Sequence, residues 1–98
     1  MSSPSDIMER LLGSPARGDL LVLFHKNPGL IDTVDGVARR IGRTGLSIES
    51  DVRQLKNLGI LRTKKIGTLE VLFLDRDKDK EVLELVASQI RSMGVSLG

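Results

Sequence analysis

The apolar residues of this chain keep a helical spacing as far as Gly59 and an alternating spacing directly after it. A switch from a period near 3.6 to a period of 2 places helices first and a strand pair behind them. Before the switch, Ser3-Pro4-Ser5-Asp6 opens a helix predicted over residues 5–12, with Ile7, Met8, Leu11 and Leu12 on one side and Gly13 as its stop. Ser14-Pro15 supplies a capping hydroxyl followed by proline at the first helical position, where a missing N–H costs nothing. That second helix carries Leu20, Leu21, Leu23 and Phe24 and ends at Asn27-Pro28-Gly29. Asp32 or Thr33 caps a third helix bearing Val34, Val37, Ala38 and Ile41, and Gly42-Arg43-Thr44-Gly45 breaks it. Ser47 is the expected cap of a fourth, in which Ile48, Val52, Leu55 and Leu58 point inward before Gly59 closes it.

After the switch, Ile60–Lys65 and Thr68–Leu74 read as two strands around a turn at Ile66-Gly67, where glycine can supply a positive φ. Leu69, Val71 and Phe73 share one face of the second strand, while Leu72 and Leu74 lie on the other, so both sides of that end should be covered. Asp75, Asp77 and Asp79 alternate with Arg76, Lys78 and Lys80. Without the glycine and terminal glutamate of an EF-hand, this stretch reads as a self-neutralising connector. It leads into a last helix over 78–93 with Val82, Leu83, Leu85, Val86, Ile90 and Met93. The fold class is α+β and mainly helical, a single domain over 1–98.

Composition removes several functions. Two phenylalanines and no other aromatic residue leave no platform for stacking unpaired bases. Cysteine is absent, so there is no thiolate metal site or Cys nucleophile, and a single histidine, His25, leaves very little material for a His-based metal site or a Ser-His pair. His25 itself suits the end of its helix, partly exposed and favourable to the dipole. No glycine-rich phosphate loop is present, since Gly42-Arg43-Thr44-Gly45 lacks both the length and the lysine. The expectation is a chain that is not an enzyme and uses no cofactor and no metal. No apolar run approaches the roughly 18 residues of a membrane span, and no signal-peptide core opens the chain, so no membrane partner is expected and the location is expected to be cytoplasmic.

Charge is segregated. Residues 39–68 hold eight basic groups against Glu49 and Asp51, while the flanking stretches 1–38 and 69–98 are each net −2. A positive middle third between acidic outer thirds suggests one basic surface.

Helix, helix, short turn, helix and a basic two-stranded ribbon together resemble the winged helix-turn-helix, and more loosely the small bacterial and archaeal regulators of the ArsR and MarR type. The resemblance spans 14–74. It rests on Ser14-Pro15-Ala16-Arg17 before a leucine-rich helix, on Val37-Ala38-Arg39-Arg40-Ile41-Gly42, and on the run from Leu46 to Arg62 with its L-x-x-L-G-I-L segment at Leu55–Leu61. It implies a two-stranded wing, an added C-terminal helix, a fourth helix lying in the major groove of DNA, and terminal helices that pair two subunits. The residues themselves fit such a helix. With Ile48, Val52, Leu55 and Leu58 inward, the opposite side presents Ser50, Arg53 and Asn57, flanked by Gln54 on one side and by Glu49 and Lys56 on the other.

Arg grips guanine, Asn and Gln bracket adenine, and Ser bonds a phosphate or base edge. Ser50, Arg53, Gln54 and Asn57 are therefore the expected base readers. Arg43, Lys56, Lys64 and Lys65 are the expected phosphate contacts, and Leu83, Val86, Ile90 and Met93 the expected dimer seam. Asp51 projects to the edge of the buried stripe, placed to pair with a neighbouring cation. Glu49 sits less comfortably near phosphate, although both acids lie where the helix dipole favours them. The expected function is sequence-specific binding of double-stranded DNA by a dimeric transcriptional regulator. The alternative is a winged-helix module that docks on protein.

Overall fold

Helix capping explains where most elements begin. The computed structural model describes the backbone of residues 4–92 and the side chains of 7–92. It contains α1 (Pro4–Leu12), α2 (Pro15–Lys26), β1 (Ile31–Asp32), α3 (Val34–Arg40), α4 (Gly45–Asn57), β2 (Leu61–Ile66), β3 (Leu69–Leu74) and α5 (Arg76–Ser92). Ser14 Oγ accepts the Arg17 N–H at 3.2 Å, with Pro15 as the first helical residue of α2. Thr33 rather than Asp32 caps α3, its Oγ1 accepting the Gly36 N–H at 3.1 Å.

Two boundaries differ from expectation. The fourth helix starts at Gly45, capped by Thr44, and Ser47 is the reciprocal partner in a capping box instead of the cap. Either hydroxyl could have served, and the earlier start lets both be used at once. The alternating acids are not a connector either, because α5 already begins at Arg76. Asp75 accepts the Lys78 N–H at 3.0 Å in the manner of a cap, and Asp77 and Asp79 fall in the first turn, at the positive end of the dipole.

The sheet is antiparallel in the order β1-β3-β2. The hairpin runs in register from Leu61↔Leu74 to Ile66↔Leu69, so its loop is Gly67-Thr68, one residue later than expected. Gly67 at φ +63° fits the first position of a type II′ turn. At the base of the ribbon β1 adds Ile31↔Phe73 and Asp32↔Leu72, a pairing too short to leave a periodic trace in sequence. Leu72, Leu74 and Val71 are buried and Phe73 is half-buried, whereas Leu69 is exposed. The ribbon is thus covered on both faces at its base only.

Phe24 and Leu20 of α2, Val37 of α3, Ile48 and Leu55 of α4, and Ile60, Leu61 and Leu72 at the sheet form the fully enclosed centre. Each such side chain contributes roughly 1.5–3 kcal/mol on leaving water. Leu11 of α1 and Val82 of α5 extend this core, and α1 packs against α2, α4 and α5.

The junction of α4 with the ribbon is set by Gly59. Its φ is +81°, its N–H donates to Lys56 O at 2.9 Å, and the Ile60 N–H donates to Leu55 O at 3.1 Å. These are the two bonds of a Schellman motif, closed by apolar contact between residues such as Leu55 and Ile60, both fully buried. Gly59→Ala places a side chain in left-handed backbone and is expected to cost about 1–2 kcal/mol, read as a lower urea midpoint at unchanged slope. An unchanged midpoint would remove Gly59 from this role.

Candidate nucleic-acid interface

The outer side of α4 carries the chemistry. Ile48, Val52 and Leu55 are buried, as their spacing requires, and Ser50, Arg53 and Asn57 line up on the opposite side, all exposed. Gln54 is half-buried on one flank, while Glu49 and Lys56 are exposed on the other. Leu46, 80% exposed, heads the same line four residues before Ser50. Beside this face lies an open groove of ≈ 800 Å³, bordered by the start of α3 and by β3. Its lining includes Asp35, Glu49, Arg53, Lys56 and Glu70, so its charge is mixed.

Asp51 holds α4 in this orientation. It is buried, and its Oδ1 accepts from Ser14 Oγ at 2.5 Å and from Arg17 Nε at 3.0 Å. Arg17 Nη1 continues to the carbonyl oxygens of Glu9 and Arg10 at 3.2 and 3.0 Å. One guanidinium therefore joins the end of α1, the start of α2 and the inner edge of α4, and the expected pairing of Asp51 with a cation is present.

The cations of the middle third divide into paired and unpaired. Arg43 Nη2 bonds Asp19 at 3.0 Å, linking the α3–α4 turn to α2, and its Nε is buried without a partner. Arg40 pairs with Asp32 and Arg62 with Asp75. Arg39, Arg53, Lys56, Lys64 and Lys65 form no ion pair among the described residues. Lys64 sits with its ammonium 5.2 Å from the centre of the Phe73 ring, back from the ribbon tip, whereas Lys65 lies opposite Glu70.

No protein-family model matches the sequence, and no curated protein matches it. Solved structures do. A possible transcriptional regulator from Methanosarcina mazei Go1 superposes with a TM-score of 0.67 at 10% identity, over 91% of this chain and 80% of that one. An ArsR family transcriptional regulator gives 0.63 at 18% identity, over 95% and 93%. The homodimeric winged helix-turn-helix DNA-binding domain of a possible ArsR-family regulator from Mycobacterium bovis gives 0.56 at 18%, over 96% and 84%. The fold is a winged helix-turn-helix.

In this fold α3 and α4 are the helix-turn-helix pair and β2–β3 the wing. The expected base readers Ser50, Arg53, Gln54 and Asn57 share the α4 face, with Lys56 at their edge. Arg43 is drawn instead toward α2 by Asp19. The expected dimer seam is divided, since Val86 packs against the core beside Val82 while Leu83 is exposed. Ile90 is half-buried, and Met93 lies outside the described residues. Exposed Leu85, and exposed Leu12 on α1, add apolar surface at this end.

Sequence reasoning missed Leu46, because placing the cap at Ser47 left it outside the helix. It also missed His25, whose Nε2 lies 2.9 Å from both oxygens of buried Asp79 and ties α2 to α5. Among the described residues no group of three His, Asp or Glu side chains stands close enough to hold a metal ion, and no helix is long and apolar enough to cross a membrane.

Asp51→Ala strands Arg17 at a largely enclosed site and is expected to cost about 3 kcal/mol, measured by urea unfolding. Removing both charges in Arg17→Met/Asp51→Leu should recover most of that loss. Equal destabilisation by both changes would show that hydrogen bonding and not charge pairing fixes the helix.

Proposed function

We propose that this protein binds double-stranded DNA sequence-specifically as a dimeric transcriptional regulator. The observation that carries the reading is the single exposed line of Ser50, Arg53 and Asn57 on α4, bordered by Lys56, with Lys64 and Lys65 exposed on the wing. Ser50, Arg53, Gln54 and Asn57 offer the donor and acceptor types that distinguish base pairs in the major groove. Lys56, Lys64 and Lys65 supply phosphate contacts, and Arg43 joins them on leaving Asp19. Of the acidic outer thirds, Asp35 and Glu70 border the groove beside α4. The structural neighbours, named as regulators, favour this reading over an enzyme.

The homodimer reading rests on Leu83 and Leu85, exposed on α5, on Leu12 of the neighbouring α1, and on the homodimeric state named for the Mycobacterium bovis domain. A two-fold pair sets the two α4 helices about 34–36 Å apart and favours a palindromic site. Docking on protein is the reading favoured by Asp35, Glu49 and Glu70 along the groove, since carboxylates repel phosphate.

A shift titration with random-sequence duplex at two salt concentrations separates the two. A DNA binder loses affinity steeply with salt, and a docking module shows no salt-dependent binding. On a selected duplex, Arg53→Ala should weaken specific binding by roughly 1–3 kcal/mol and relax base preference. Lys65→Ala should weaken all duplexes alike and flatten the salt slope by about one. Equal, salt-insensitive losses for both would contradict the assigned roles. Sedimentation equilibrium should give twice the 10.7 kDa chain mass, with Leu83→Glu returning the monomer, and a wild-type monomer would exclude the dimer.

A further inference from the structure

The first turn of α4 carries no free hydrogen-bonding side chain among those that face outward. Thr44 Oγ1 accepts the Ser47 N–H at 3.2 Å, while Ser47 Oγ accepts the Thr44 N–H at 3.3 Å and donates to Thr44 O at 2.8 Å. Both hydroxyls are engaged in the capping box. Gly45 has no side chain, and a Cβ there would run into the Asp35 carboxylate. Ile48 is fully buried. What remains is Leu46, the most exposed of the large apolar side chains described, at 80% against 57% for the next.

Leu46 adds little to the core, and alanine would serve the helix better on intrinsic preference. A lone exposed leucine is ordinary on a protein surface. This one is distinguished by its place. It stands in line with Ser50, Arg53 and Asn57 at spacings of four, three and four, on a turn held rigid by the cap, and it borders the same groove as Arg53 and Asn57. Leu46 and Arg53, seven positions apart, are separated by about 10.5 Å along the helix, so both side chains fall within roughly three base pairs. The apolar feature a base presents in the major groove is the 5-methyl group of a pyrimidine.

Resting on the DNA-binding reading above, we propose that Leu46 recognises a pyrimidine 5-methyl group, that of thymine or of 5-methylcytosine. Ser50, Arg53 and Asn57 supply hydrogen bonds to adjacent pairs, and Leu46 supplies shape and desolvation at the leading edge of the helix. Burial of one methyl group corresponds to about a fourfold change in affinity.

The test uses the full chain and a duplex selected from a randomised pool. Each thymine is replaced singly by deoxyuridine, and each cytosine singly by 5-methylcytosine, at one fixed salt concentration. If thymine is the source, the wild type loses about fourfold at one deoxyuridine position in each half-site. If 5-methylcytosine is the source, it gains about fourfold at one methylated cytosine instead. In either case Leu46→Ala, which melts at the wild-type temperature, abolishes the difference at that position and leaves random-duplex binding unchanged. A selected duplex on which no replacement alters wild-type binding overturns this proposal alone, as does a Leu46→Ala protein that keeps the discrimination. Failure to enrich any duplex overturns the DNA-binding reading and this proposal with it.

Discussion

The Asp51–Arg17–Ser14 contact fixes the rotation of α4, and the outward chemistry of the molecule depends on that rotation. An apolar stripe of Ile48, Val52 and Leu55 tolerates a twist of some tens of degrees, because side chains can repack. A carboxylate at the border of the stripe does not. Asp51 is satisfied only where it meets Ser14 Oγ and Arg17 Nε together, and turning the helix away would leave a largely buried charge without partners. Such a contact adds little net stability compared with an apolar substitute, but it selects one orientation from several. It also withdraws one of the two acids of the positive segment from the exposed face, leaving Glu49 alone there.

Counting charge along the sequence overstates what the surface offers. Three arginines of the positive segment are drawn to aspartates outside it, Arg40 to Asp32, Arg43 to Asp19 and Arg62 to Asp75. Exposed pairs of this kind hold their partners weakly, at about 0–1 kcal/mol, so a phosphate could compete for Arg43. The unpaired cations Arg39, Arg53, Lys56, Lys64 and Lys65 form a smaller set than the eight basic residues of the segment. Apart from Arg39 on α3, they lie on α4 and on β2 of the wing.

Local signals were legible and distant ones were not. The helices, the hairpin and the outward face of α4 follow from spacing and from capping residues, each decided within a few positions. Thr44 and Ser47 exchanged roles because two hydroxyls three residues apart are equivalent on local grounds, and the reciprocal bond decides between them. Asp75–Lys80 hid a helix start, since alternating signs mask the fact that Asp75 caps and Asp79 turns inward to His25. The two-residue β1 left no period to detect. Asp19–Arg43 and His25–Asp79 join residues 24 and 54 positions apart, and nothing in either neighbourhood announces the other. The division of α5, with Val82 and Val86 inward and Leu83 outward, depends likewise on how closely α1 and the sheet approach it.

The carboxylates along the groove bear most directly on what α4 can do. Asp35, Glu49 and Glu70 would repel a phosphate backbone laid into the groove, yet a helix seated in a major groove brings its outer line to base edges and leaves the phosphates to its flanks and the wing. Lys56 stands on one flank of α4, while the line itself is Ser50, Arg53 and Asn57, neutral apart from one guanidinium. On the DNA-binding reading, an acid beside such a line would penalise a duplex held by charge alone more than one whose bases engage the helix, giving up non-specific attraction in favour of choice. The same carboxylates on a face without this central line would argue for a basic protein partner. It is the coincidence of an orienting carboxylate inside, hydrogen-bonding side chains along the crest and unpaired cations at the margins that favours a nucleic-acid surface.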